Sequence, residues 1–161
     1  MLLRRPGRFT RSVPVLLLAL RFFSSTAVAQ TKPDFSGTWK SLQPSAEITI
    51  ALDGPSFVVT TAHADGSSET LTYRLDGYES RNTVKGATGE VWTHVSKATW
   101  MSSAVVITTT TSRDNGEKFD WMQVYSLNED GQLSVTAFDG VIYDDRLMDT
   151  STVLYGKVSQ R

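Results

Sequence analysis

From Phe35 to Val158 the chain alternates apolar and polar residues in short runs, with the period of two that belongs to strands and not the 3.6 of helices. Ile48 and Ile50 stand against Glu47 and Thr49; Leu71, Tyr73 and Leu75 stand against Thr70, Thr72 and Arg74. Successive side chains of a strand point to opposite faces, so each run buries one face and wets the other. Val105 to Thr111 is almost wholly β-branched, which favours extended backbone and disfavours helix. The pattern predicts ten strands, at Phe35–Leu42, Glu47–Leu52, Ser56–His63, Glu69–Leu75, Glu79–Val84, Glu90–Trp100, Ala104–Ser112, Lys118–Leu127, Gln132–Phe138 and Ser151–Val158.

Six Asx-Gly pairs fall between these runs: Asp53-Gly54, Asp65-Gly66, Asp76-Gly77, Asn115-Gly116, Asp130-Gly131 and Asp139-Gly140. Asn or Asp followed by Gly tolerates the positive φ of tight hairpins, so consecutive strands are expected to pair locally. Such a meander either exposes two unpaired edges or closes, and closure removes the aggregation hazard of the edges. The expected fold is therefore all-β, a single up-and-down antiparallel meander barrel of about eight to ten strands, closed or nearly so. Two segments break the rhythm: the small-residue loop Lys85-Gly86-Ala87-Thr88-Gly89, and the long connection Asp139–Thr150 with Asp144, Asp145, Arg146 and Asp149. Either is a solvated turn or part of the mouth of a cavity.

The amino-terminal stretch reads differently. Arg4, Arg5, Arg8 and Arg11 stand without an acid, Val13–Leu20 is apolar apart from Pro14, and Ala27-Val28-Ala29 has the small-x-small pattern of a signal-peptidase site. Residues 1–29 are expected to be a cleaved signal peptide and residues 30–161 a barrel domain of the periplasm or exterior. The apolar run is short of the roughly 20 residues that span a bilayer, so no spanning helix is expected. Arg4-Arg5 is read as an ordinary basic n-region, with a twin-arginine signal as the weaker alternative. Removing residues 1–29 takes away five Arg and no acid, leaving 11 basic against 17 acidic residues and a net charge of −6 in place of −1. That balance opposes nucleic-acid binding, which needs a basic face. With no Cys in the chain, disulfides, thiolate metal sites and Cys nucleophiles are excluded.

Phe35-Ser36-Gly37-Thr38-Trp39-Lys40 resembles the first strand of the calycin superfamily, the Gly-Thr-Trp-Lys of fatty-acid-binding proteins and the Gly-x-Trp of lipocalins. Thr152–Val158 is similar to the last strand of those barrels. Leu71-Thr72-Tyr73-Arg74-Leu75-Asp76-Gly77, followed by Glu79-Ser80-Arg81-Asn82, resembles small exported bacterial lipocalin-like proteins. The resemblance implies a lipocalin-like barrel in which Trp39 packs across and closes one end. It matches Tyr155 to the Tyr of the Arg-x-Tyr pair that holds a fatty-acid carboxylate. Val153 stands where the Arg would be, and only Gln43-Pro44-Ser45 separates the first two strands, so the helical lid of fatty-acid-binding proteins has no counterpart.

Aromatic residues carry the candidate chemistry. Trp92, His94 and Trp100 share one parity, and Phe119, Trp121, Gln123 and Tyr125 share another, so each set lines one face of its strand. With Tyr73 and Tyr155 they suggest a wall of apolar area with polar tips, suited to a small apolar, aromatic or amphipathic molecule. The same stripes also suit a dry, filled core. The candidate ligand-binding residues are Tyr73, Trp92, His94, Trp121, Gln123, Tyr125 and Tyr155. His63 and His94 are the only histidines; neither has a second ligand at metal spacing, although one imidazole suffices for haem ligation. No catalytic motif is present, the aspartates near 144–149 lack calcium-loop spacing, and no metal or cofactor is expected. The alternative to interior binding is an interaction or inhibitory module that meets an envelope protein through its outer surface and loops.

Overall fold

The structure is a computed structural model that describes residues 31–43, 46–86, 88–140 and 149–159. The expected signal peptide, and Asp144, Asp145 and Arg146 of the acidic connection, lie outside the described residues. Ten antiparallel strands form one sheet: β1 (Gly37–Ser41), β2 (Glu47–Asp53), β3 (Ser56–Ala62), β4 (Ser68–Arg74), β5 (Asp76–Lys85), β6 (Val91–Met101), β7 (Ala104–Arg113), β8 (Lys118–Leu127), β9 (Leu133–Asp139) and β10 (Asp149–Lys157). The spatial order β4-β3-β2-β1-β10-β9-β8-β7-β6-β5 is an up-and-down meander curled into a nearly closed barrel, as the alternation predicts. Among the described residues there is no helix, and hence none long and apolar enough to cross a membrane.

The ring closes through its first and last strands and breaks where the sequence predicts a hairpin. The first and last strands pair, with Trp39 opposite Lys157 and Ser41 opposite Tyr155, so a ladder joins β1 to β10. The break falls between β4 and β5, which are consecutive in sequence yet stand at opposite ends of the sheet order. Asp76-Gly77 is thus not a hairpin turn between ladder partners, as its sequence suggests. Gly77 has φ +80°, the β5–β6 register slips between Asp76 and Glu79, and the Leu75 amide donates to the Pro55 carbonyl at 2.7 Å, drawing the chain toward the β2–β3 turn. The other hairpin glycines obey the rule, with positive φ at Gly54, Gly66, Gly116 and Gly131, while the β6–β7 turn uses Ser102 at φ 58° and carries no Asx-Gly signal.

Side chains close the β4–β5 seam. The Thr72 amide donates to Asn82 Oδ1 at 2.9 Å, and Asn82 Nδ2 donates back to the Thr72 carbonyl at 3.0 Å. One carboxamide thereby satisfies the edge as a peptide group would. The Arg74 amide is met by Ser80 Oγ at 2.8 Å. These bonds occupy backbone groups that an edge strand would otherwise present to other chains.

Inside, the barrel is divided. At the end bearing the β2–β3, β6–β7 and β8–β9 turns, the rings of Phe35, Phe57, Tyr73, Trp100 and Tyr125 pack on one another, with centroids 5.2–6.4 Å apart. Trp39, 1% exposed, donates from Nε1 to the Phe35 carbonyl at 2.8 Å and so holds the segment before β1 across this base. Gly37 sits at φ +129°, where a Cβ would also lie 3.0 Å from Lys157 Cε, which explains why the position before Thr38-Trp39 is Gly. Trp39→Ala is expected to cost about 3–5 kcal/mol by the cavity it leaves, measured by urea unfolding.

Asn82 gives a sharper test of the seam. Asn82→Ala is expected to lower stability by about 1 kcal/mol, since Thr72 is exposed and water replaces part of the loss. Asn82→Asp is expected to be worse at neutral pH, because a carboxylate faces the Thr72 carbonyl with no proton to donate. It should recover below about pH 4, where the protonated carboxyl restores the donor. Urea midpoints of both variants across pH read this directly.

Candidate functional site

The register settles which faces point inward. Even-numbered residues of β6 and odd-numbered residues of β7 and β8 meet across the ladders on the inner face: His94 opposes Thr111, Ser96 opposes Thr109, and Thr109 opposes Trp121. All seven predicted ligand-binding residues lie on that face, but the fold separates them. Tyr73 and Tyr125 belong to the aromatic base, where Phe57 packs against both. Tyr125 donates to Gln123 Oε1 at 3.0 Å, and Tyr155 stands on the β10 wall opposite Leu133. Burial holds the Tyr125, Tyr73 and Tyr155 hydroxyls above their ordinary pKa; Glu69 adds to the rise at Tyr73, and the other two tyrosines add to it at Tyr125. Trp92, His94 and Trp121 are brought together toward the opposite, open end.

That end is polar where the base is apolar. A cavity of about 570 Å³ opens there, lined by His63, Asp65, Glu69, Lys85, Trp92 and His94 together with Ser67, Val84 and Gly86. The sequence sets the two histidines far apart; the β3–β4 hairpin brings His63 to the same cavity as His94. Among the described residues no cluster of His, Asp and Glu is placed to hold a metal ion, and Asp65 is engaged by Ser67, whose amide and hydroxyl hold its carboxyl below the usual carboxylate range.

His94 is 9% exposed and sits in a chain of hydrogen bonds. Trp121 Nε1 donates to Thr111 Oγ1 at 2.8 Å, and Thr111 Oγ1 lies 3.3 Å from His94 Nδ1. The Trp121 and His94 rings meet edge to face at 6.0 Å. Beyond them, Ser96 and Thr109 bond to each other at 2.8 Å. Two nitrogens on this wall, His94 Nε2 and Trp92 Nε1, are buried without a partner among the described residues. A buried polar group left unpaired costs on the order of 1–3 kcal/mol, so two side by side on one cavity are unusual. Sequence reasoning selects both residues through their aromatic parity but misses Thr111 and Glu69. Counting inward from Val105 and Ile107 places Thr109 and Thr111 on the same face; nothing in the sequence singles out Glu69.

Compared with known proteins, the chain matches no protein-family model and no curated protein sequence. The barrel is consistent with a calycin-like fold on its architecture alone.

Burial pushes the His94 imidazole below its ordinary value of 6.5, and the Glu69 carboxylate offsets part of that. His63, Asp65 and Lys85 also face the cavity, and Arg113 lies over the Trp92 ring. A His whose folded pKa is depressed stays neutral while its unfolded counterpart takes a proton, so the stability it permits is present above the unfolded value and is lost as pH falls through it. Urea midpoints are therefore expected to fall more between about pH 8 and pH 5 for the native protein than for His94→Gln.

Proposed function

We propose that this is an exported, lipocalin-like protein that binds a small apolar or amphipathic molecule in the mouth half of its barrel. The observation that carries the reading is the pair of buried nitrogens unpartnered among the described residues, His94 Nε2 and Trp92 Nε1, on two residues that line one cavity. A ligand's polar atom would satisfy them, and its apolar body would lie against Trp92 and Val84. Because Phe57, Tyr73 and Tyr125 already pack against one another, the base serves as a floor, and the ligand is held nearer the rim than the predicted set of seven residues implies. The cavity presents both signs, Glu69 and Asp65 with Lys85 and the nearby Arg113, and so favours a neutral guest.

A second reading, recognition of an envelope protein through the outer wall, draws on a different surface. Val106 opposes Val124 and Met122 opposes Phe138 on the outer faces of β7–β9, all half-buried, beside a depression of about 590 Å³ flanked by Glu79, Lys97 and Asp120. Among the described residues no buried unpaired side-chain nitrogen or oxygen belongs to that depression's lining, which is why the interior is preferred.

Tryptophan fluorescence and thermal melting with a panel of lipids and aromatic metabolites test the proposal. A true ligand at a hundredfold excess over its Kd is expected to stabilise the fold by about 2.7 kcal/mol and to perturb the emission of Trp92 and Trp121. No emission change and no rise in Tm across the panel would count against it. Export is tested separately: expressed in a bacterial host, the protein is expected in the periplasm or medium with Gln30 as its first residue by mass spectrometry.

A further inference from the structure

The direction of the hydrogen bonds around His94 specifies what kind of atom the cavity receives. An indole nitrogen is a donor only, so Thr111 Oγ1 must accept from Trp121 Nε1. Thr111 is fully buried, and its own hydroxyl proton needs an acceptor. Among the described residues His94 Nδ1, at 3.3 Å, is the partner on hand. The opposite arrangement, with Nδ1–H donating to Thr111, would leave that hydroxyl proton orphaned in a site closed to water. The chain therefore runs Trp121 to Thr111 to His94 Nδ1 and fixes the neutral imidazole with its proton on Nε2. Trp92 Nε1 is likewise a donor. Both unpartnered nitrogens on the cavity wall carry hydrogens.

We propose that the mouth of the barrel takes a neutral ligand oxygen, a ketone, aldehyde, ester or amide carbonyl on a flat apolar body, held between His94 Nε2–H and Trp92 Nε1–H. The proposal rests on interior binding and sharpens it to one chemical class. Two neutral donors match the two lone pairs of a carbonyl oxygen. The charges around the cavity offset one another, Glu69 and Asp65 against Lys85 on its wall and Arg113 over the Trp92 ring, so the pair of neutral donors, not a net charge, sets the class of ligand. An imidazole with its proton on Nε2 also offers no lone pair there to a metal or haem iron, so the same bonding that prepares the site for an oxygen removes it as an iron ligand. Both nitrogens are closed to solvent in this structure, so a ligand reaches them only when covering side chains move; those stacked on Trp92 are the Arg113 guanidinium, 4.7 Å from its ring, and the edge of Phe119, which is 40% exposed.

Matched probes separate this claim from the broader one. The full barrel is titrated with 2-acetylnaphthalene, with 2-ethylnaphthalene, which keeps the shape but lacks the oxygen, and with 2-naphthoate, following tryptophan quenching. The acetyl compound is expected to bind at least about tenfold tighter than the ethyl compound, as two hydrogen bonds supply. Trp92→Phe is expected to weaken the acetyl compound about three- to tenfold and to leave the ethyl compound within about twofold. Equal binding of acetyl and ethyl probes overturns the donor pair while leaving interior binding intact; absence of binding by all three overturns both; a preference for the naphthoate overturns the neutral-oxygen class. Because these readings depend on a good probe, the tautomer is measured directly by ¹⁵N NMR of the imidazoles near pH 8, with His63→Asn assigning the two signals. A proton on Nε2 of His94 is expected, and a proton on Nδ1 overturns the proposal. Thr111→Val should release that preference if the relay sets it.

Discussion

The pairing of β1 with β10 is the constraint from which the rest of this architecture follows. A ten-stranded meander has two free edges, and joining the ends of the chain removes them only if the sheet can also complete its circumference. Here the ladder completes at the chain ends and interrupts between β4 and β5, chain neighbours joined through Leu75. Hydrogen bonds that a ladder would supply come instead from one carboxamide and one hydroxyl, Asn82 and Ser80. Trp39 works within the same constraint. It sits on the strand that makes the end-to-end pair, and its indole fastens the preceding segment over the base of the barrel.

Closure divides the interior by chemistry as well as by position. The base is sealed by rings whose only polar atoms are phenols and an indole, and burial keeps those phenols neutral. The opposite half contains Ser80, Ser96, Thr109, Thr111 and His94, all buried and polar. A core built for stability alone gains nothing from this band, since apolar residues of the same shape would bury at no hydrogen-bonding cost. Most of the band satisfies itself: Ser96 with Thr109, Thr111 with Trp121 and His94, Ser80 with the seam. Among the described residues, the buried side-chain nitrogens left without a partner belong to His94 and Trp92, which line one cavity.

Much of the fold was legible because alternation and turn chemistry are local. Ile48 and Ile50, or Tyr73 between Thr72 and Arg74, announce both the strand and the buried face, and the hairpins at Gly54, Gly66, Gly116 and Gly131 follow their Asx-Gly pairs. Asp76-Gly77 misleads because the same dipeptide serves a strand crossing as well as a hairpin, and only the long-range pairing of β1 with β10 decides which. The β6–β7 turn escapes for the reverse reason: Ser102 adopts φ 58° without Gly. Parity picks out Trp92, His94 and Trp121 but cannot tell height along the barrel, so it merges rim residues with Tyr73 and Tyr125 of the base. Hydrogen-bond direction at His94 depends on Thr111, seventeen residues away, and no sequence pattern encodes it.

The seam held by Asn82 and Ser80 has one more meaning. Elsewhere on the ring, widening the barrel means unzipping a ladder along its whole length, a change that is paid for many bonds at a time. Between β4 and β5 three side-chain hydrogen bonds span the gap, and each can lengthen or exchange with water as the strands part. The seam runs alongside Glu69 and Val84, which line the cavity. It is therefore an expansion joint: the girth of the mouth can change while the nine ladders that define the fold stay intact.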